Sequence, residues 1–155
     1  MDHHDAFAEN YLVHGLTREV VEEIEGLATY QTFVARDVLL RMGEKSSDLY
    51  VILEGRVQIL TEGGELLAEI GPPNVIGEVS LVDDQPRSAN AVCLGVVKVA
   101  RLPAKDLRSY MAKNPAAGFP MLSNLARVLS MRLRKADATV ESLAANPKDA
   151  WAHAL

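Results

Sequence analysis

Gly77-Glu78-Val79-Ser80-Leu81-Val82-Asp83-Asp84-Gln85-Pro86-Arg87-Ser88-Ala89-Asn90-Ala91 gathers in one short stretch the groups that hold a small anionic sugar phosphate. Such a ligand presents a negative charge beside a hydroxyl. It requires a forked cation, converging N–H groups and a hydroxyl acceptor. Arg87 is the fork, since its guanidinium stays charged and matches two phosphate oxygens with bonds worth about 1.5–3 kcal/mol each. Gly77 allows close backbone approach, and Val79, Leu81 and Val82 suit one short helical turn whose free N–H groups face the anion. A carboxylate at the anion would repel it, so Glu78 points instead to the hydroxyl as acceptor. Pro86 extends the chain before Arg87, and Ser88 adds a hydroxyl donor. Taken singly, Arg87 paired with Asp83 or Asp84 and a solvated Glu78 would be ordinary surface chemistry. The combination is what carries information.

Outward from this stretch, residues 33–102 are short β-rich runs separated by turn residues, with no helical period. Leu49–Leu53 and Arg56–Leu60 flank Glu54-Gly55 and read as a hairpin. A second hairpin is expected at Glu62-Gly63-Gly64-Glu65. Val96, Val97, Val99 and Leu102 read as the last strand, ending at Pro103. Upstream, Thr17 caps a helix to about Ala28 with Val20, Val21, Ile24 and Leu27 on one face and Glu19, Glu22, Glu23 and Glu25 elsewhere. Residues 1–15 read as a weak N-terminal tail. The fold class is mainly β with flanking helices: a double-stranded β-helix, or jelly roll, barrel with an N-terminal helix and a long C-terminal helix.

The pattern Gly-Glu-Val-Ser-Leu, a loop of four, then Pro-Arg-Ser-Ala resembles the phosphate-binding cassette of cyclic nucleotide-binding domains, as in protein kinase A regulatory subunits, nucleotide-gated channels and catabolite activator protein. Gly43, Glu44, Asp48, Tyr50, Gly55 and Val57 extend the resemblance, which covers roughly residues 16–143. It implies that Glu78 binds a ribose 2′-hydroxyl and that Arg87 and Ser88 bind a cyclic phosphate. Backbone amides near Gly77, Val79, Ser80 and Ala89 would complete the cradle. The implied ligand is cyclic AMP, with cyclic GMP as the alternative, and no cofactor or metal is expected. At Gly71-Pro72-Pro73-Asn74 relatives often carry glycine where Pro73 stands, so this turn is expected to differ.

Ala104 to Met111 reads as a helix, with Pro115 and Pro120 interrupting or kinking the chain after it. Leu122, Ala126, Leu129, Leu133, Ala136, Val140 and Leu143 recur at alternating spacings of four and three, an a/d seam. A second stripe holds Met121, Leu125, Val128 and Arg132. One face is expected to pair with a second copy through Leu122, Leu129, Leu133, Val140 and Leu143, and the other to close over the ligand. The resemblance makes Arg132 or Leu133 a lid contact, although relatives that read adenine through two adjacent hydroxyl side chains find Arg132-Leu133 here. Residues 144–155, with Trp151, read as a frayed tail.

The chain has 155 residues, nearly half of them apolar, and a net charge of −5. That suits one domain with a helical extension and argues against autonomous DNA binding, which needs a concentrated basic face; Arg127, Arg132, Arg134 and Lys135 read as a solvated helix surface. With no apolar run of membrane-spanning length and no secretory start at Met1-Asp2-His3-His4-Asp5, a cytoplasmic location without membrane contact is expected. Cys93 is the only cysteine and reads as a core strand residue. His3, His4, His14 and His153 read as solvated ends. No histidine lies between His14 and His153, which removes the ligands that a metal-dependent enzyme on a related β architecture needs. The chain therefore reads as a non-enzymatic cyclic nucleotide receptor signalling to a dimer surface or a protein partner. The alternative is a nucleotide-independent dimerisation or docking module.

Overall fold

In the computed structural model, residues 2–145 are described, with side chains described through Ala136. The seam positions Val140 and Leu143 and the tail residue Trp151 lie outside the described side chains. The chain divides into two compact units, Met1–Leu125 and Ala126–Leu155.

The N-terminal segment that reads as a tail is ordered. Helix α1 (His3–Ala8) begins at Asp2, whose carboxylate accepts from the Asp5 N–H at 2.8 Å. Asn10 opens a 3-10 turn over Tyr11–Val13 by accepting from the Leu12 N–H at 2.7 Å. Phe7, Leu12 and Val13 are buried, and these contacts are what the sequence pattern did not expose. His4 is exposed, as expected, yet it has a partner. Its ring contacts a Glu25 carboxylate oxygen at 2.6 Å, the same oxygen that accepts from the Tyr30 hydroxyl, and His3 lies against the Tyr30 ring.

Helix α2 (Arg18–Glu25) has the expected Thr17 cap, accepting from the Val20 N–H at 3.3 Å, and buries Val21 and Ile24. Among the described residues, eight strands follow in two antiparallel sheets. These are β1 (Thr29–Phe33), β2 (Val38–Leu40), β3 (Leu49–Glu54), β4 (Val57–Leu60), β5 (Leu66–Ile70), β6 (Val75–Ile76), β7 (Asn90–Cys93) and β8 (Val97–Leu102). One sheet runs β1-β8-β3-β6 and the other β2-β7-β4-β5. Their facing residues Leu39, Ile52, Val57, Ile70, Ile76 and Val99 share one apolar core with Cys93, placing the cysteine where its sequence context predicts. The jelly roll is therefore two stacked sheets. It is not the closed barrel expected, because among the described residues no ladder joins the edge strands of one sheet to those of the other.

The hairpin expected at Glu54-Gly55 is absent. β3 pairs with β8 and β6, whereas β4 pairs with β5 and β7. Gly55 is instead a corner between sheets, at φ +90 with a hypothetical Cβ only 2.3 Å from the Val96 carbonyl oxygen. The β4–β5 hairpin forms as expected, closed by Thr61 N–H to Glu65 O at 2.9 Å. The turn before β6 carries a cis Pro72–Pro73 peptide.

Between β6 and β7 lies the short helix α3 (Glu78–Asp83); after β8 come α4 (Ala104–Lys113) and α5 (Pro115–Ala145). Rather than interrupting a helix, Pro115 starts α5, where a missing N–H costs nothing, and α5 continues through Pro120. Asn124 on α5 is buried and donates to the Leu12 and His14 carbonyls, each at 2.9 Å, fastening α5 to the N-terminal segment. Along α5, Met121, Leu125 and Val128 are buried while Leu122, Ala126 and Leu133 are exposed. No helix among the described residues is long and apolar enough to cross a membrane.

Candidate functional site

β6 runs from the core into Gly77, which turns the chain at φ +91 and starts α3. A side chain at Gly77 would place its Cβ 2.7 Å from both Arg87 Nη1 and the Asp48 carbonyl oxygen, so only glycine lets the helix begin against the guanidinium. The next residues turn their polar groups inward. Glu78 is 4% exposed and Ser80 is buried, whereas Val79 and Val82 face outward. Leu81 is buried with Glu78 and Ser80, so α3 turns two polar side chains and one apolar side chain inward. Asp84 ends α3 at φ +57, its N–H donating to the Ser80 carbonyl at 2.8 Å.

Pro86 then delivers Arg87 to the loop before β3. The Arg87 N–H donates to Glu44 O at 2.9 Å, and its carbonyl accepts from the Gly43 N–H at 2.8 Å. The side chain is 3% exposed. Nη2 donates to the Asp48 carbonyl at 2.6 Å and to Ser46 Oγ at 3.3 Å, and Nη1 donates to the Gly77 carbonyl at 3.2 Å. These acceptors are neutral. Nε is buried without a hydrogen-bond partner among the described residues. Burial pulls the Arg87 pKa below its ordinary value, while the charges of Tyr50, Asp48, Glu44 and Glu78 pull it back. A guanidinium remains a cation under such opposing influences.

The surface pairing of Arg87 with Asp83 or Asp84 does not occur in its hydrogen bonds. Asp84 accepts from Ser47 Oγ at 2.7 Å and from Arg108 Nη2 at 3.4 Å, and the Ser47 hydroxyl, followed by the Arg108 charge, holds its carboxyl below the usual range. Asp48 serves two elements. Its carbonyl takes Arg87, and its carboxylate takes Arg101 Nε at 2.8 Å and the Ala104 N–H at 2.9 Å, which caps α4 in place of the incapable Pro103.

The structure thus brings Gly77, Glu78, Ser80 and Arg87 into one buried constellation. Val79 is on the outer side of α3, Ser88 is exposed, and Ala89 is half-buried just before β7. Arg132 lies on the part of α5 that belongs to the second unit. Sequence reasoning missed the roles of Ser46, Ser47 and Arg108, whose partners are 41, 37 and 27 residues away. Only their neighbour Asp48 stood inside a recognisable pattern. Among the described residues, no group of three or more His, Cys, Asp or Glu side chains is placed to hold a metal ion.

Residues 30–114 match the family model described as a cyclic nucleotide-binding domain. The chain is 29% identical over 136 residues to the cyclic AMP receptor protein of Thermus thermophilus, covering 85% of this chain and 61% of that one. It is 33% identical over 105 residues to the CRP-like cAMP-activated global transcriptional regulator of Mycobacterium tuberculosis, covering 65% and 45% respectively. Glutaminase 1 of Bradyrhizobium diazoefficiens is 28% identical over 145 residues, 92% of this chain but 24% of that protein. The chain therefore spans less than two thirds of the length of each of these relatives. Among solved structures, the Thermus thermophilus catabolite activator protein superposes with a TM-score of 0.74 at 29% identity, over 87% of this chain and 63% of that one. A cyclic nucleotide-binding domain from Methylobacillus flagellatus shares the fold with a TM-score of 0.82 at 24% identity, over 90% and 83%.

Proposed function

The chain belongs to the cyclic nucleotide-binding domain family, and from that premise we propose that it is a non-enzymatic receptor module for a cyclic nucleotide, cyclic AMP first and cyclic GMP second. The observation that carries this reading is Arg87: a buried guanidinium whose hydrogen-bond acceptors are neutral and whose Nε has none among the described residues. A buried polar atom left unpaired costs about 1–3 kcal/mol, so an acceptor that reaches Nε recovers a penalty the protein otherwise carries.

In this reading Arg87 binds the cyclic phosphate, with Ser88 and the backbone at Gly77, Val79, Ser80 and Ala89 around it, and buried Glu78 accepts from the ribose 2′-hydroxyl. Separate positions for the two anionic partners keep the Glu78 carboxylate from facing the phosphate. The names of the Thermus and Mycobacterium relatives support cyclic AMP as the first ligand to test. Residues 16–143 form the module, and the site works in the cytoplasm. Equilibrium dialysis against cyclic AMP, cyclic GMP and linear AMP tests the proposal. Retention of a cyclic nucleotide over the linear one is expected, and no retention of either cyclic form at millimolar ligand refutes it.

Exposed apolar residues on α5 favour an accompanying role in association. Phe119 is 76% and Leu133 63% exposed, and Leu122 continues the same seam. We propose that this face pairs with a second copy or a protein partner, the nucleotide shifting that equilibrium through unequal affinity for two states. A dimer whose mass ignores added nucleotide would favour the docking module over the receptor.

A further inference from the structure

Helix α3 has six residues, too few to hold itself together in isolation, and its last carbonyls have no helical donors of their own. External groups meet that end. Arg108, in the second turn of α4, donates through Nη2 to the Leu81 carbonyl at 2.7 Å and to Asp84 Oδ1 at 3.4 Å. Ser47 Oγ holds the same Oδ1 at 2.7 Å. Asp84 meanwhile adopts the left-handed conformation, which a non-glycine residue keeps only when its surroundings enforce it. The other end of α3 starts at Gly77, whose carbonyl accepts from Arg87, and Ser46, beside Ser47, accepts from Arg87 as well.

We propose that Arg108 is a positioning residue of the nucleotide site, fixing the C-terminal end of α3 through the Leu81 carbonyl and the Asp84 carboxylate and so tying the ligand-binding segment to α4. The inference rests on the receptor reading above and adds to it a residue that never touches ligand. With α3 anchored at one end by α4 and at the other by Arg87, a shift of Arg87 towards a bound phosphate moves α3 as a body. The Arg108 contacts pass that shift to α4. Without Arg108, α3 adjusts locally and its movement no longer reaches α4 through the Leu81 carbonyl, which leaves only the Asp48 link between Arg87 and the start of α4.

The test compares wild type, Arg108→Ala, Arg108→Lys and Asp84→Ala by cyclic AMP and cyclic GMP titration, thermal melting and amide hydrogen exchange. Arg108→Ala is expected to weaken nucleotide affinity by about three- to tenfold with little change in melting temperature, because its side chain is 43% exposed. Arg108→Lys, which still reaches a carbonyl oxygen, should recover most of that loss. Combining the two alanine changes should cost less than the sum of the singles. In exchange experiments, nucleotide should slow amides of both α3 and α4 in wild type, whereas in Arg108→Ala the slowing in α3 should remain and that in the turn of α4 around Arg108 should be lost. A merely structural role would not produce that separation. Unchanged affinity together with retained α4 protection in Arg108→Ala overturns the proposal while leaving the receptor reading intact. A wild-type chain that binds neither nucleotide removes both.

Discussion

Gly77 and Arg87 occupy adjoining space so closely that a single methyl group would separate them: a Cβ on Gly77 would lie 2.7 Å from Arg87 Nη1, while the Gly77 carbonyl accepts from that same nitrogen at 3.2 Å. Ten residues apart in sequence, the two hold the entry to α3 against the cation that the site is built around. Gly77→Ala combines this overlap with a positive φ and is expected to destabilise the fold by about 1–3 kcal/mol. Urea denaturation measures that cost, and nucleotide titration of the same variant should show weakened binding. An alanine variant as stable as wild type would contradict the packing described.

The N-terminal segment contributes to the fold. Phe7 is fully buried on α1, so Phe7→Ala should lose about 3–5 kcal/mol through lost burial and the cavity left behind. A melting curve within a degree or two of wild type would return residues 1–15 to the status of a tail.

Alkaline stability should depend on Tyr110. Burial, then the hydrogen bond it donates to Glu23 at 2.8 Å, then the Glu23 charge raise its pKa from 10.0 to about 12. The folded state therefore keeps the phenolic proton where the unfolded state has released it. That contribution is fully present below pH 10 and is lost as pH rises towards 12. Tyr110→Phe should flatten the fall in unfolding free energy across this window in urea titrations at stepped pH. An unchanged slope would show that the phenol is not held by Glu23.

Legibility in the sequence tracks the range of the interactions involved. The segment from Gly77 to Ala91 could be read because its chemistry is dense and local, and buried Glu78 and Arg87 justify reading those charges together rather than as separate surface groups. Strands could be found from their texture, but their partners could not. Alternation along Leu49–Glu54 is the same whether β3 meets β4 or, as here, β8 and β6, so Gly55 reads as a hairpin turn when it is a corner. The Arg87 contacts with Ser46 and Asp48 and the Arg108 contact with Leu81 join distant segments through hydroxyls, carbonyls and one guanidinium, which leave no periodic trace. His4, Phe7 and Asn10 are hidden for a related reason: each works through burial or individual side-chain contacts in a segment too short to show a pattern.

If the buried Arg87 guanidinium takes the charge of a cyclic nucleotide, calorimetric titration of wild type beside Arg87→Ala with cyclic AMP and cyclic GMP must tell the two proteins apart. Saturable heat is expected for wild type with at least one of them, with affinity reduced by about a hundredfold or more in Arg87→Ala, as the loss of two charge-assisted hydrogen bonds requires. Equal binding by both proteins, or no heat from wild type at near-millimolar nucleotide, would refute that role for Arg87.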